Sequence, residues 1–160
     1  MYIEFLRREV VTFLSSYYLF TLSPDERVIF LSENGLIDDS HSTYNNQVFN
    51  EDILDNYRFS PLIRNEYLES KVKEITGNVI KIIDHPDHGI IGIPCSACRF
   101  IVFENHEDSL FEICPVCGWQ TDSVDNNGYS KLNKTNLNTY KNSSLYNDRV
   151  LQYEKIYVRK

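Results

Sequence analysis

The chain contains four cysteines, and their spacing constrains its fold more than any other feature. They form two Cys-x-x-Cys pairs, Cys95 with Cys98 and Cys114 with Cys117, separated by fifteen residues. In each pair a tight turn can point both thiolates in one direction, and a hairpin between the pairs would bring all four together. This spacing is typical of a tetrahedral metal site.

Four thiolates saturate a tetrahedral ion and leave no position for water or substrate. The pattern therefore predicts a zinc site that stabilises the fold rather than catalysing a reaction, with Cys95, Cys98, Cys114 and Cys117 as ligands. Two other interpretations compete with metal binding: four buried free thiols, and a redox-active pair. Redox Cys-x-x-Cys motifs stand alone at a helix start, whereas here two pairs flank a hairpin.

Iron is the alternative metal. The second pair reads Cys-Pro-Val-Cys-Gly over residues 114–118, which is also the ligand turn of rubredoxin-like iron sites that carry electrons. The residue types of the ligands do not separate zinc from iron. The first pair is followed by Arg99, where rubredoxins usually have glycine.

The charge distribution favours a protein partner. The formal net charge is -7, and residues 95–125 carry six acids against one base. Nucleic-acid-binding proteins present basic surfaces, so the acidic cysteine region is not expected to bind the phosphates of a nucleic acid. Residues 126–160 carry seven bases against two acids, which keeps a nucleic-acid- or transcription-associated zinc ribbon as an alternative.

The chain is expected to be cytoplasmic. Its apolar runs stay well short of the roughly 18 residues that a membrane span needs. The first nine residues lack the basic-then-apolar order of a signal peptide. Thiols stay reduced in the cytoplasm, so paired Cys-x-x-Cys motifs there indicate metal binding rather than disulfide bonds.

Apolar periodicity predicts helices in the N-terminal half. The predicted segments are a helix over 3–20, a helix from the Ser23 cap to Gly35, a loop over 38–47, a short helix over 51–57 and a helix from Ser60-Pro61 to Gly77.

The residue composition changes after Gly77, where β-branched residues become frequent. The predicted segments are a strand over 79–83, a turn over 84–89, a hairpin pairing 99–103 with 110–113, a helix over 135–146 and a strand or helix over 150–158. We therefore predict an α+β fold, in which a helical region at 1–77 packs with a zinc-ribbon-like β-hairpin unit at 78–160.

The remaining polar residues give no catalytic arrangement. His85 and His88 bracket a polar turn and are interpreted as turn residues rather than a second metal site. His41 lies in the polar loop, and His106 in the predicted hairpin loop, where it could replace a cysteine ligand. The chain has no P-loop, nucleophile elbow or zinc-protease motif. We therefore expect a protein that is not an enzyme, with Trp119 packing against the second cysteine turn.

At the cysteines the chain resembles the bacterial cysteine-rich CPCC proteins. That family has a Cys-Pro-Cys-Cys-Gly segment, a spacer ending in Glu-Ile-Cys-Pro-Val-Cys, and then an aromatic residue and acids. The counterparts are 95–98, then Glu112 to Trp119, then Asp122, with Leu137, Tyr140 and Asn142 resembling a following short helix. The resemblance covers about residues 93–145, and Ser-Pro-x-Glu-Arg at 23–27 resembles the leading helices of longer members.

The middle cysteine of the family is Ala97 here. The resemblance then implies that the outer pair, Cys95 and Cys98, supplies the ligands. It also implies a small zinc-stabilised bacterial protein. By analogy with other small acidic proteins, the expected function is that of a non-enzymatic protein-binding module, such as an immunity protein that neutralises a toxin.

Overall fold

The structure is a computed structural model that describes residues 1–38, 43–122 and 124–160. His41 and part of the predicted 38–47 loop lie outside these ranges. The described chain forms two compact units, each made of two segments. The first unit comprises Met1–Ser60 and Lys71–Ile83, and the second comprises Pro61–Ser70 and Asp84–Lys160.

The first unit is mainly helical and carries one small parallel sheet. Its elements are β1 (Ile3–Phe5), α1 (Arg7–Thr21), α2 (Pro24–Glu33), α3 (Asn50–Asn56), the second half of α4 (Asn65–Thr76) and β2 (Ile80–Ile82). β1 pairs with β2 in parallel, with Ile3 opposite Ile80 and Phe5 opposite Ile82. Its buried apolar side chains are Val10, Leu14, Leu31, Ile53, Val72, Ile80 and Ile82.

The first predicted helix begins later than its periodicity indicates. Residues 3–5 are a strand, and α1 starts at Arg7. The backbone of Ile3 donates to the carbonyl of Val79 at 3.2 Å, a pairing between distant residues that local periodicity does not reveal. Glu9 then accepts the backbone N–H of Leu6 at 2.8 Å and fixes the helix start.

The second helix starts where its capping sequence predicts. The hydroxyl of Ser23 accepts the N–H of Glu26 at 3.3 Å, and the Glu26 carboxylate accepts the N–H of Ser23 at 2.8 Å. These reciprocal bonds satisfy two donors that a helix start leaves free. Gly35, just beyond the helix, has φ +66, the left-handed conformation expected of a glycine at a helix end.

The fourth helix begins at Asn65 rather than at Ser60-Pro61. Within the second unit, Ile63 pairs with Tyr157 in an antiparallel bridge, so residue 63 is extended. The Asp87 carboxylate accepts the N–H of Asn65 at 2.6 Å. The predicted start was therefore wrong because these two partners lie far along the chain, while the predicted end at Gly77 is confirmed by its φ of +77.

The second unit surrounds the cysteines with short strands and short helices. Its elements are the first half of α4, β3 (Ile93–Pro94), β4 (Ile101–Phe103), α5 (His106–Phe111), α6 (Leu137–Lys141) and α7 (Ser144–Tyr153). The final residues run beside β4, since Ile101 donates to the carbonyl of Val158 at 2.8 Å. The α+β class predicted from sequence is confirmed.

The predicted hairpin between 99–103 and 110–113 is wrong. Residues 106–111 form α5, whose start is capped by the Asn105 side chain accepting from the N–H of Asp108 at 3.0 Å. The antiparallel hairpin is instead β3 with β4, which turns through the first cysteine pair. The 135–146 helix is divided into α6 and α7, and residues after Tyr153 leave the helix.

Within the described ranges, we find no helix with the length and apolar character needed to cross a membrane.

Candidate metal centre

Both cysteine pairs fold into the same backbone turn. In the first, the N–H of Cys95 donates to the carbonyl of Phe100 at 2.9 Å, and the N–H of Arg99 donates to the carbonyl of Cys95 at 3.0 Å. In the second, the N–H of Cys114 donates to the carbonyl of Trp119 at 2.9 Å, and the N–H of Gly118 donates to the carbonyl of Cys114 at 2.8 Å. We call these turns the first and second knuckles, residues 95–100 and 114–119.

Each knuckle aims backbone N–H groups at a sulfur. The N–H of Ala97 lies 3.4 Å from Cys95 Sγ, and the N–H of Cys117 lies 3.5 Å from Cys114 Sγ. Hydrogen bonds from amides stabilise a thiolate, because they favour the charged form. The donors occupy different positions in the two turns, yet in each turn one N–H favours the thiolate form of the first cysteine.

The four sulfur atoms converge in one cluster. All lie within 4.8 Å of one another, and all four cysteines are buried. The distances Cys95 Sγ to Cys117 Sγ and Cys98 Sγ to Cys114 Sγ are both 3.7 Å. A disulfide would need about 2.0 Å. Tetrahedral ligands at about 2.3 Å from an ion are separated by about 3.8 Å. The four cysteines are thus positioned to bind a metal ion.

Electrostatics at the cluster also favours a cation. Hydrogen bonding to neighbouring thiols, Cys114 foremost, lowers the pKa of Cys95 and raises that of Cys98 and of Cys117. Hydrogen bonding with Cys117 lowers the pKa of Cys114. Four adjacent thiolates would repel one another, so the cluster favours either retained protons or a bound cation. A divalent ion that replaces these protons removes the repulsion.

Two tyrosines and the single tryptophan enclose the knuckles. The Tyr140 hydroxyl donates to the carbonyl of Cys117, and the Tyr146 hydroxyl donates to the carbonyl of Ala97 at 3.4 Å. The Trp119 ring lies 5.4 Å from the Tyr140 ring, and Trp119 is buried in the cysteine cluster. Helices α6 and α7 thereby fasten one knuckle each, and the packing of Trp119 on its own knuckle agrees with the sequence interpretation.

His85, His88 and His106, the histidines that the structure describes, do not join this cluster. His85 contacts Asp84 through Nδ1 at 3.0 Å, and the neighbouring Asp87 caps α4. His106 is the first residue of α5, not a hairpin loop. Among the described residues, the cysteines form the only group of three or more potential metal ligands.

Sequence reasoning noted Arg99 as a departure from the rubredoxin pattern but did not predict its left-handed backbone. Arg99 has φ +68, matching Gly118 at φ +76 in the second knuckle. The doubled Cys-x-x-Cys already implied equivalent turns, so the left-handed position could have been inferred from Gly118. The Arg149 guanidinium lies against Gly118, a contact that no sequence pattern indicates.

The family comparison agrees with this geometry. Residues 93–146 match the family model described as cysteine-rich CPCC. The match begins at β3 and ends at Tyr146, so it contains both knuckles and both tyrosines that fasten them. Ala97 replaces the family's middle cysteine. Its backbone N–H donates to Cys95 Sγ, and its carbonyl accepts from the Tyr146 hydroxyl. No curated protein and no solved structure gives a significant match. The resemblance to the cysteine-rich CPCC family is thus confirmed for residues 93–146.

Proposed function

We propose that this chain is a non-enzymatic protein-binding module, held in shape around its cysteines by a structural zinc ion. The single observation that carries the proposal is the closed, buried cluster of four sulfurs. Catalytic zinc sites keep one position open for water or substrate, whereas four thiolates fill every position. Function then lies on the surfaces that the metal stabilises.

Zinc rather than iron is the proposed metal. Both ions accept four thiolates, so the sulfur distances do not distinguish them. In the first knuckle the left-handed position is filled by Arg99, where rubredoxin-like iron sites usually have glycine. Elemental analysis of the purified protein should find one zinc ion per chain, and the protein solution should be colourless. A red protein that contains one iron ion per chain would instead support the rubredoxin-like electron carrier.

Protein binding is proposed from the charge of the chain. Residues 95–125 carry six acids against one base in a protein of net charge -7. An acidic surface attracts a basic partner and accelerates their association. We propose a bacterial cytoplasmic immunity protein that neutralises a basic toxin, since toxins that attack nucleic acids are frequently basic.

The full-length chain can test this function directly. A tagged copy should capture a basic protein in a one-to-one complex, and co-expression should suppress the toxicity of that protein. The association rate should fall as salt increases. Capture of no protein, together with salt-dependent binding of DNA or RNA, would instead support the nucleic-acid alternative.

A further inference from the structure

We propose that the end of α5 is the docking surface for a basic protein that inserts an apolar side chain, which rests on the proposed protein-binding function. This surface, called the α5 surface, consists of Leu110, Phe111 and Ile113. Their exposures are 54%, 71% and 62%. Three large apolar side chains exposed within four residues of chain are a candidate interaction site, because contiguous apolar patches mark such sites.

The backbone beneath the α5 surface is firmly held. The N–H of Glu112 donates to the carbonyl of Asp108 at 2.8 Å, and the Gln120 side chain donates to the carbonyl of Phe111 at 3.0 Å. The next residue after the surface is the buried ligand candidate Cys114. The metal site therefore presents these side chains on a fixed frame, which lowers the ordering cost of binding.

Acidic residues surround the apolar group along the chain. Exposed Glu104, Glu107 and Glu112, with the partly exposed Asp108, lie within nine residues of one another. Residues 100–130 contain no Lys or Arg. Protein interfaces commonly place an apolar centre within a polar, solvent-accessible rim, and these acids are the polar residues nearest to the apolar group in sequence.

This charge selects the occupant. A partner with Lys or Arg around a Leu, Phe or Trp anchor would match both the apolar centre and the acidic rim. A second copy of this chain in a symmetric contact would bring identical acids together, and that repulsion disfavours a homodimer through this surface.

The first test uses a synthetic amphipathic helical peptide with Lys and Arg around a Leu/Trp face. We expect it to bind the metal-loaded chain and to shift the amide NMR signals of residues 104–113. The same peptide with Glu in place of Lys and Arg should not bind. Phe111→Ser with Ile113→Ser, and separately Glu107→Lys with Glu112→Lys, should each weaken binding by about tenfold or more.

The matched control is Leu145→Ser with Leu151→Ser, since these α7 leucines are 54% and 65% exposed. This variant should bind the peptide as the parent does, and all variants should retain full metal content. Equal binding by the α5 and α7 variants, or concentration-dependent dimerisation that the α5 variant abolishes, would overturn the proposal.

A second experiment separates this surface from the general function. A photo-crosslinking amino acid is placed at position 111 or, as control, at position 151, and the basic protein captured by the full-length chain is added. Crosslinking at 111 alone supports the α5 surface. Crosslinking at 151 alone refutes the surface but leaves protein binding intact, whereas failure to capture any protein refutes the proposed function.

Discussion

At the scale of single residues, the two knuckles solve one backbone problem in different ways. Each needs a left-handed residue after its second cysteine, and these residues are Arg99 at φ +68 and Gly118 at φ +76. The left-handed region costs a side-chain-bearing residue about 1–2 kcal/mol, whereas glycine enters it freely. The first knuckle therefore carries strain that the second avoids.

Gly118→Ala is expected to destabilise the protein. An added Cβ would overlap the Arg149 guanidinium, and the alanine would have to adopt the left-handed backbone of Gly118. Because the guanidinium is flexible and can move away, the lasting cost is the backbone term, about 1–2 kcal/mol in the free energy of unfolding. Urea denaturation of the metal-loaded protein measures it.

The matched control is Arg99→Gly, which relieves the strained position at an exposed site. Relief of strain competes with the greater freedom of glycine in the unfolded chain, so stability should stay unchanged or rise by up to about 1 kcal/mol. If Arg99→Gly destabilises as much as Gly118→Ala does, the left-handed residue is not the source of strain.

At the scale of elements, the start of α2 links stability to pH. Hydrogen bonding to Ser23 holds the pKa of Glu26 below the ordinary value of a glutamate. A carboxyl whose pKa falls on folding adds stability above its unfolded pKa, and that stability is lost as pH falls through the folded pKa. Glu26→Gln should therefore reduce the pH dependence of unfolding below about pH 5.

Thermal unfolding of the parent and Glu26→Gln proteins between neutral and acidic pH measures this effect. The two melting temperatures should differ most near neutral pH and converge as the parent carboxyl is protonated. Glu51→Gln serves as a control, because Glu51 is also exposed in the first turn of a helix but closes no reciprocal cap. A parent whose advantage grows in acid would contradict the capping account.

The fastening of the knuckles by α6 and α7 is a second property of elements. The Tyr140 hydroxyl donates to the carbonyl of Cys117, and burial is the main factor that raises the pKa of Tyr140. Tyr140→Phe leaves that carbonyl without its donor and should cost about 1 kcal/mol of unfolding free energy. Tyr129→Phe, at an exposed tyrosine, should cost nothing measurable, and equal losses in the two variants would refute the fastening role.

At the scale of the whole molecule, the sequence predicted local features better than long-range ones. The α2 cap, the Gly77 helix end and the tight turn within each Cys-x-x-Cys pair follow from short-range spacing and turn chemistry. The β1 strand, the late start of α4 and the position of the hairpin depend on partners such as Val79, Asp87 and Tyr157. Tertiary pairing overrides local propensity at such places, and spacing alone does not reveal it.

At the scale of the second unit, we expect folding to depend on metal bound at the four cysteines. The four cysteines, Trp119 and Tyr146 belong to one buried apolar cluster in that unit. Zinc held by such ligands contributes on the order of 10 kcal/mol, and this binding energy is folding energy. Removal of the metal should therefore unfold the surroundings of the knuckles.

The substitution Cys114→Ser removes one of the four sulfur ligands and should abolish metal binding. We expect the variant to contain no metal and to lose hydrogen-exchange protection over residues 90–125. Residues 7–33 should stay protected, because α1 and α2 bury Val10, Leu14 and Leu31 within the first unit. Ser96→Ala, at an exposed knuckle position, should keep both metal and protection. A Cys114→Ser protein with full metal content and unchanged exchange would refute the four-thiolate site.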